Sequence, residues 1–207
     1  MSGWGEIKSN WDETDNQDGI SVSLEKKIKD AAIKRIIKND KIHFVKAKAL
    51  TDLCERPKPG EQYRIITEKQ FNAYSLILSL LQNENIIDEL LIAIYRINQP
   101  TVDSIMDLID SGRIKKASFV ISNFFNQTKK PEKWAIKLKE FADSRKNVKH
   151  CYTHNHSKII LIKSGNDKFV FEGSGNMSDN ARIEQYLYEN NSKAFDFHKS
   201  WIEKLVK

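Results

Sequence analysis

His156 and Lys158 stand two residues apart at the head of an aliphatic run, His156-Ser157-Lys158-Ile159-Ile160-Leu161-Ile162. A second apolar run, Phe169-Val170-Phe171, ends in Gly173-Ser174-Gly175-Asn176. An imidazole is a nucleophile or a proton carrier, an ammonium is a fixed cation, and a hydroxyl and a carboxamide both donate to an anionic oxygen. Two β-strands joined by a polar turn are the natural reading of the stretch. Side chains alternate along a strand, so His156 and Lys158 are expected to point the same way, roughly 7 Å apart. The glycines let backbone approach without a Cβ. Together these groups can hold a phosphate and attack it.

Other histidines crowd the same region. His150, His154 and His156 share strand parity with Cys151 beside them, so a zinc site has to be weighed. Cys151 has the opposite parity and no second Cys or His cluster completes a tetrahedral set, so no metal and no cofactor are expected. His154 reads as a polar lining residue that contacts substrate, whereas His43 and His198 read as ordinary packed or surface residues.

The order and spacing of H-x-K and G-S-x-N resemble the signature of the phospholipase D superfamily, and most of all its short, single-motif nuclease branch. The resemblance covers roughly residues 60–207. It implies that His156 forms a phosphohistidine, that Lys158 clamps the phosphoryl oxygens, and that Ser174 and Asn176 make further phosphate contacts. It also implies that Glu184, in Arg182-Ile183-Glu184-Gln185, orients the histidine. The family motif often continues to an aspartate that supports the local fold; Lys163 stands at that position here, and Asp167 in the following turn is a candidate replacement. The chemistry needs two imidazoles and the chain has one H-x-K. A two-fold homodimer supplies the second, because an isologous interface juxtaposes equivalent residues.

The elements that must position these groups can be read along the 207 residues. Residues 1–20 are acidic and polar around Trp4 and Trp11 and read as a tail, either disordered or docking its tryptophans on a protein partner. From Ser21 the charge reverses, and an amphipathic helix is expected from about Leu24 to Lys38 within a basic extension and linker over residues 21–60. Lys26, Lys27, Lys34 and Arg35 are its candidate contacts to a phosphate backbone. Pro57-Lys58-Pro59-Gly60 marks the boundary of a catalytic domain over residues 61–207. Within it, Tyr63–Ile66 suggests a short strand and Thr67-Glu68-Lys69-Gln70 a capping box for a helix burying Phe71, Tyr74, Ile77, Leu78 and Leu81. Strands at 89–97 and 116–122 flank a helix opened by Asn98-Gln99-Pro100 and closed by Ser111-Gly112. That βαβ unit implies neighbouring parallel strands. Further helices are expected after Pro131 and from Asn191. The expected fold is α/β: a mixed, largely parallel sheet flanked by helices on both faces, with a helical N-terminal extension.

A net charge of +6 favours a polyanionic partner. No apolar run is long enough to span a bilayer and no signal-peptide pattern opens the chain, so a cytoplasmic protein without integral membrane association is expected. Two distant cysteines, Cys54 and Cys151, make a disulfide framework an unsuitable reading. The leading expectation is a metal-independent nuclease, acting on DNA in the first instance. The alternatives are a silent, dimeric nucleic-acid-binding or assembly module and, within enzymes, a lipid phosphodiesterase.

Overall fold

The computed structural model describes residues 31–36, 55–68, 72–81, 86–127, 129–178 and 183–206, with the backbone alone for 31–36 and 68. In chain order the elements are β1 (Ala31–Ile36), β2 (Glu61–Glu68), α1 (Tyr74–Leu81), β3 (Glu89–Ile94), α2 (Gln99–Asp110), β4 (Ala117–Ser122), a 3-10 turn (Asn123–Phe125) and α3 (Lys133–Asp143). They continue with β5 (Val148–Thr153), β6 (Lys158–Ser164), β7 (Asp167–Gly173), β8 (Ile183–Asn190) and α4 (Ser192–Leu205). The strands form one eight-stranded sheet in the order β1-β2-β8-β7-β6-β3-β4-β5.

β3, β4 and β5 run parallel, joined by α2 and α3, as the βαβ pattern requires. Every other neighbouring pair is antiparallel, so the sheet is mixed but not largely parallel. Chain length between strands gives the reason. β6 and β7 are separated only by Gly165 and Asn166, and a two-residue connection can join only antiparallel neighbours. Gly165 takes φ 59° there, and its N–H donates to Asp88.

The expected helix over Leu24–Lys38 is a second correction. Residues 31–36 instead form β1, pairing antiparallel with β2 in the register Ala31↔Ile66 to Ile36↔Glu61. Without it β2 would present a bare row of N–H and C=O groups, and that pairing outweighs a weak helical periodicity. Lys26, Lys27 and the Trp4/Trp11 tail lie outside the described residues. A third correction concerns Thr67, which does not cap a helix. It continues β2 opposite Glu184, buried, with its hydroxyl unpartnered, and Asn72 Oδ1 accepts from Tyr74 N–H at the start of α1 instead. Phase follows that start: Ile77 and Leu81 are buried as expected, with Leu76 and Leu80, while Leu78 is exposed.

Alternation along the central strands separates two cores. Leu90, Ile92, Ile94, Phe119, Ile121, Ile160, Ile162, Phe169 and Phe171 pack on one face with residues of α1, α2 and α3. Leu91, Ala93, Val120, Leu161 and Val170 pack on the other with Phe195 and Ile202 of α4. Asn190 ties the chain just before β2 to this body: its Nδ2 donates to the Pro57 carbonyl and to Asp167, and its carbonyl accepts from Gly60 N–H.

Candidate active site

Strand ends and the loops that leave them meet at one end of the sheet, where the parallel strands finish and β6 begins. The register Ile94↔Lys158 sets the last residue of β3 beside the first of β6, and Thr67↔Glu184 sets the end of β2 beside the start of β8. Lys158 shares parity with Ile160 and Ile162, and Glu184 with Tyr186, so both side chains belong to the face packed by α1, α2 and α3. Gly173 closes β7 between them.

His156 lies in the loop that enters β6, not within the strand, and its ring is exposed. Asn155 organises that loop. Its Nδ2 donates to the Val120 carbonyl at 3.1 Å, anchoring the loop to β4, and its Oδ1 accepts from Ser157 N–H. The imidazole packs against Tyr95, ring centroids 4.7 Å apart. Lys158 folds back so that its Nζ stands 3.3 Å from His156 Nδ1 and donates to the His156 carbonyl at 3.0 Å, closer than strand spacing alone implies.

On the other side of β7, Ser174 Oγ donates to the Glu184 carboxylate and accepts from Gln185 N–H at 3.0 Å. Asn176 is fixed from a third direction: its Oδ1 accepts from Arg96 N–H, and Met177 N–H donates to the Arg96 carbonyl just after β3. The five motif residues thus share one rim. One expected contact is absent there. Glu184 is engaged by Ser174, and no hydrogen bond joins it to His156 among the described residues. Its charge reaches Lys158 instead.

Burial of the Lys158 ammonium holds its pKa below the ordinary lysine value, while the Glu184 carboxylate pulls the other way. Removing that carboxylate leaves the burial unopposed, so Glu184→Gln is expected to move the Lys158 titration to still lower pH. An NMR titration of the lysine Cε and Nζ resonances reads this directly, and coincident Lys158 curves in both proteins would refute the coupling.

The remaining expected residues are placed differently. His154 is exposed in the loop after β5, outside any strand, so the three histidines do not line one strand face. His150, on β5, faces Asp143 of α3 at 3.6 Å, and burial lowers its pKa. Cys151 packs partly on the opposite face. His198, on α4, is not isolated: it sits half-buried between Glu172 (3.1 Å) and Trp201 (3.2 Å). Lys163 stands next to the end of β6, opposite Glu89 and Lys168 and away from the rim, and Asp167 is spent on Asn190. Lys34 and Arg35 lie on β1, four strands from β6, or about 19 Å at ordinary strand spacing, and toward the far end of the sheet. They are not brought to His156.

Sequence reasoning missed Tyr95 and Asn155. The first is signalled by the polar break Tyr95-Arg96 in a run otherwise suited to a buried strand, the second by an asparagine placed to turn the chain between two histidines.

No protein-family model matches the sequence, and no curated protein matches it. Among solved structures the chain is similar to a polyphosphate kinase from Porphyromonas gingivalis, over 70% of this chain and 26% of that one, at 18% identity and a TM-score of 0.52. It is also similar to a phosphatidylserine synthase of Haemophilus influenzae Rd KW20 (83% of this chain, 43% of that one, 13% identity, TM-score 0.49). A third similar structure is TrmBL2, an archaeal chromatin protein (68% and 51%, 14% identity, TM-score 0.46). The chain spans about a quarter to a half of the length of these structures. No helix among the described residues is long and apolar enough to cross a membrane. The likeness to the polyphosphate kinase is a likeness of fold, and it supports a phospholipase D-like fold for this chain.

Proposed function

We propose that this protein is a metal-independent phosphodiesterase that cleaves nucleic acid, DNA in the first instance, through a phosphohistidine on His156. The observation that carries the reading is the meeting of an exposed imidazole, a lysine 3.3 Å from it, and the Ser174–Asn176 segment on one rim. Imidazole, cation, hydroxyl and carboxamide are the set a phosphoryl group needs for attack and for charge stabilisation.

His156 Nε2 attacks phosphorus and a P–N bond forms while the bond to the leaving oxygen breaks. That oxygen takes a proton from the protonated imidazole of a second copy of His156 across a two-fold axis. Water then attacks phosphorus, gives its proton to the second imidazole, and the P–N bond breaks to return His156. Lys158 and Asn176 hold the non-bridging oxygens, and Ser174 joins them when its hydroxyl is released from Glu184. Glu184 acts through its neighbours, fixing Ser174 and favouring the charged form of Lys158.

A second reading, a dimeric module that binds nucleic acid without turnover, draws on Lys163 at the place of the motif aspartate and on a Glu184 that is engaged by Ser174. One experiment separates the two. An oligonucleotide carrying radiolabelled phosphate is incubated with the protein in EDTA and quenched in alkali, which preserves phosphohistidine. The expected result is cleavage together with label on the peptide containing His156. Steeply salt-dependent binding with neither cleavage nor label assigns the protein to the binding module.

A further inference from the structure

Two aromatic residues follow β4, and they have opposite fates. Phe125 is 6% exposed and Phe124 is 61% exposed. Phe125 is wedged among Tyr95, Trp134 and the Arg96 guanidinium, its ring centroid 5.3, 5.4 and 5.7 Å from them. Phe124 sits against its edge at 5.2 Å, and its backbone N–H donates to Ser122 Oγ. The 3-10 turn therefore holds an open aromatic ring on a buried foundation.

That ring lies at the same end of the sheet as His156, because β4 runs parallel to β3 and ends beside it. The connection is continuous: Phe124 touches Phe125, Phe125 touches Tyr95, and Tyr95 touches His156 at 4.7 Å. Cations outnumber acids around it: Arg96 is exposed and lies over the Phe125 ring on which Phe124 rests, and Lys129 and Lys130 follow in the chain, against the one acid Glu132, whose N–H donates to the Phe125 carbonyl. A rigid, exposed ring among cations is the arrangement on which an unpaired base stacks while its phosphates are neutralised. A base inside a duplex has both faces covered by its neighbours and cannot use it. Among the described residues the comparably exposed ring, Phe197, lies on α4 against the other face.

We propose that Phe124 is a base-stacking platform and that the site takes unpaired nucleic acid, with a base on Phe124 and a neighbouring phosphate at His156. This rests on the phosphodiesterase reading for its substrate but not on turnover, so it is tested by binding. His156→Ala protein, which leaves the ligand intact, is titrated by fluorescence anisotropy with oligothymidylate, oligouridylate, an abasic strand of equal length and a blunt duplex. Adding Phe124→Ala is expected to weaken binding of oligothymidylate and oligouridylate by roughly tenfold, within the range one stacked base supplies. The abasic strand and the duplex are expected to bind unchanged, and Phe124→Trp to restore the lost affinity. The two polymer arms show whether DNA or RNA is preferred. Equal losses on all four ligands, or no loss on any, overturn the stacking role while leaving the phosphodiesterase reading in place. A change in sedimentation mass on Phe124→Ala makes the ring a subunit contact and likewise overturns it. Failure of the parent to bind any strand at low salt removes the nucleic-acid reading and this inference with it.

Discussion

His156→Ala is expected to lower phosphodiester cleavage by at least about a thousandfold, since it removes both the nucleophile and, in the paired copy, the proton donor. Lys158 Nζ is within reach of the same space, but it is an ammonium whose charged form Glu184 favours, and the Tyr95 ring packs on the imidazole rather than offering a base. The ring is exposed, so its loss should leave the fold intact, and thermal denaturation checks that. The dimer adds a sharper signature. When wild type and His156→Ala are refolded together in equal amounts, only about a quarter of randomly assorted dimers carry two imidazoles. Activity should fall to about that fraction of an all-wild-type sample. A fall to only one half would mean that each protomer works alone, and the two-imidazole mechanism would have to be given up.

Gly173→Ala is expected to cost about 1–3 kcal/mol of stability, the usual penalty for forcing atoms into a packed position. The backbone here is not in the left-handed region, so conformational freedom is not the reason. A Cβ at 173 falls well inside contact distance of the Gln185 carbonyl and of the Tyr186 ring on β8. A backbone carbonyl cannot swing aside, and the Tyr186 ring is buried and stacked on Phe171 at 4.7 Å. The strands must part at the very place where Ser174 N–H donates to the Gln185 carbonyl. Chemical denaturation reads the loss as a lower midpoint at unchanged slope. Residual folded protein should also be less active, because Ser174 and Glu184 move with the strands. An unchanged midpoint would show that β7 and β8 accommodate the methyl group without strain.

What could be read from the sequence follows from the range of the interactions involved. The stretch from β3 to β5 is governed by local signals and came out nearly residue for residue. Asn98 caps α2, as Asn98-Gln99-Pro100 announced, and Ser111 with Gly112 at φ 75° closes it. Asn191 caps α4 by accepting from Lys193 and Ala194 N–H. The motif residues were legible because their side-chain chemistry is stated by residue type. Where pairing across long sequence distances decides, the local signals misled. Residues 31–36 carry a helical pattern and form an edge strand because β2 offers a ladder, and the partners of β6, β7 and β8 were not announced by their apolar runs. Thr67 has the spacing of a capping box, yet β2 claims it for the sheet. Glu184 lies on the strand expected for it, but the choice between His156 and Ser174 as its partner depends on how β7 and β8 lie side by side.

The order of the strands also has a consequence in time. β2 and β8 are neighbours, so that Gln62 hydrogen-bonds Glu189 across 127 residues of chain. The parallel block from β3 to β5 closes only short loops and can assemble early. Bringing β8 onto β2 incurs the largest loop-closure entropy in the domain, and contacts of such separation form late. Glu184 arrives with that last pairing. During refolding, helical signal and core burial should therefore recover before the rim is complete, and catalytic competence should return with the slowest phase.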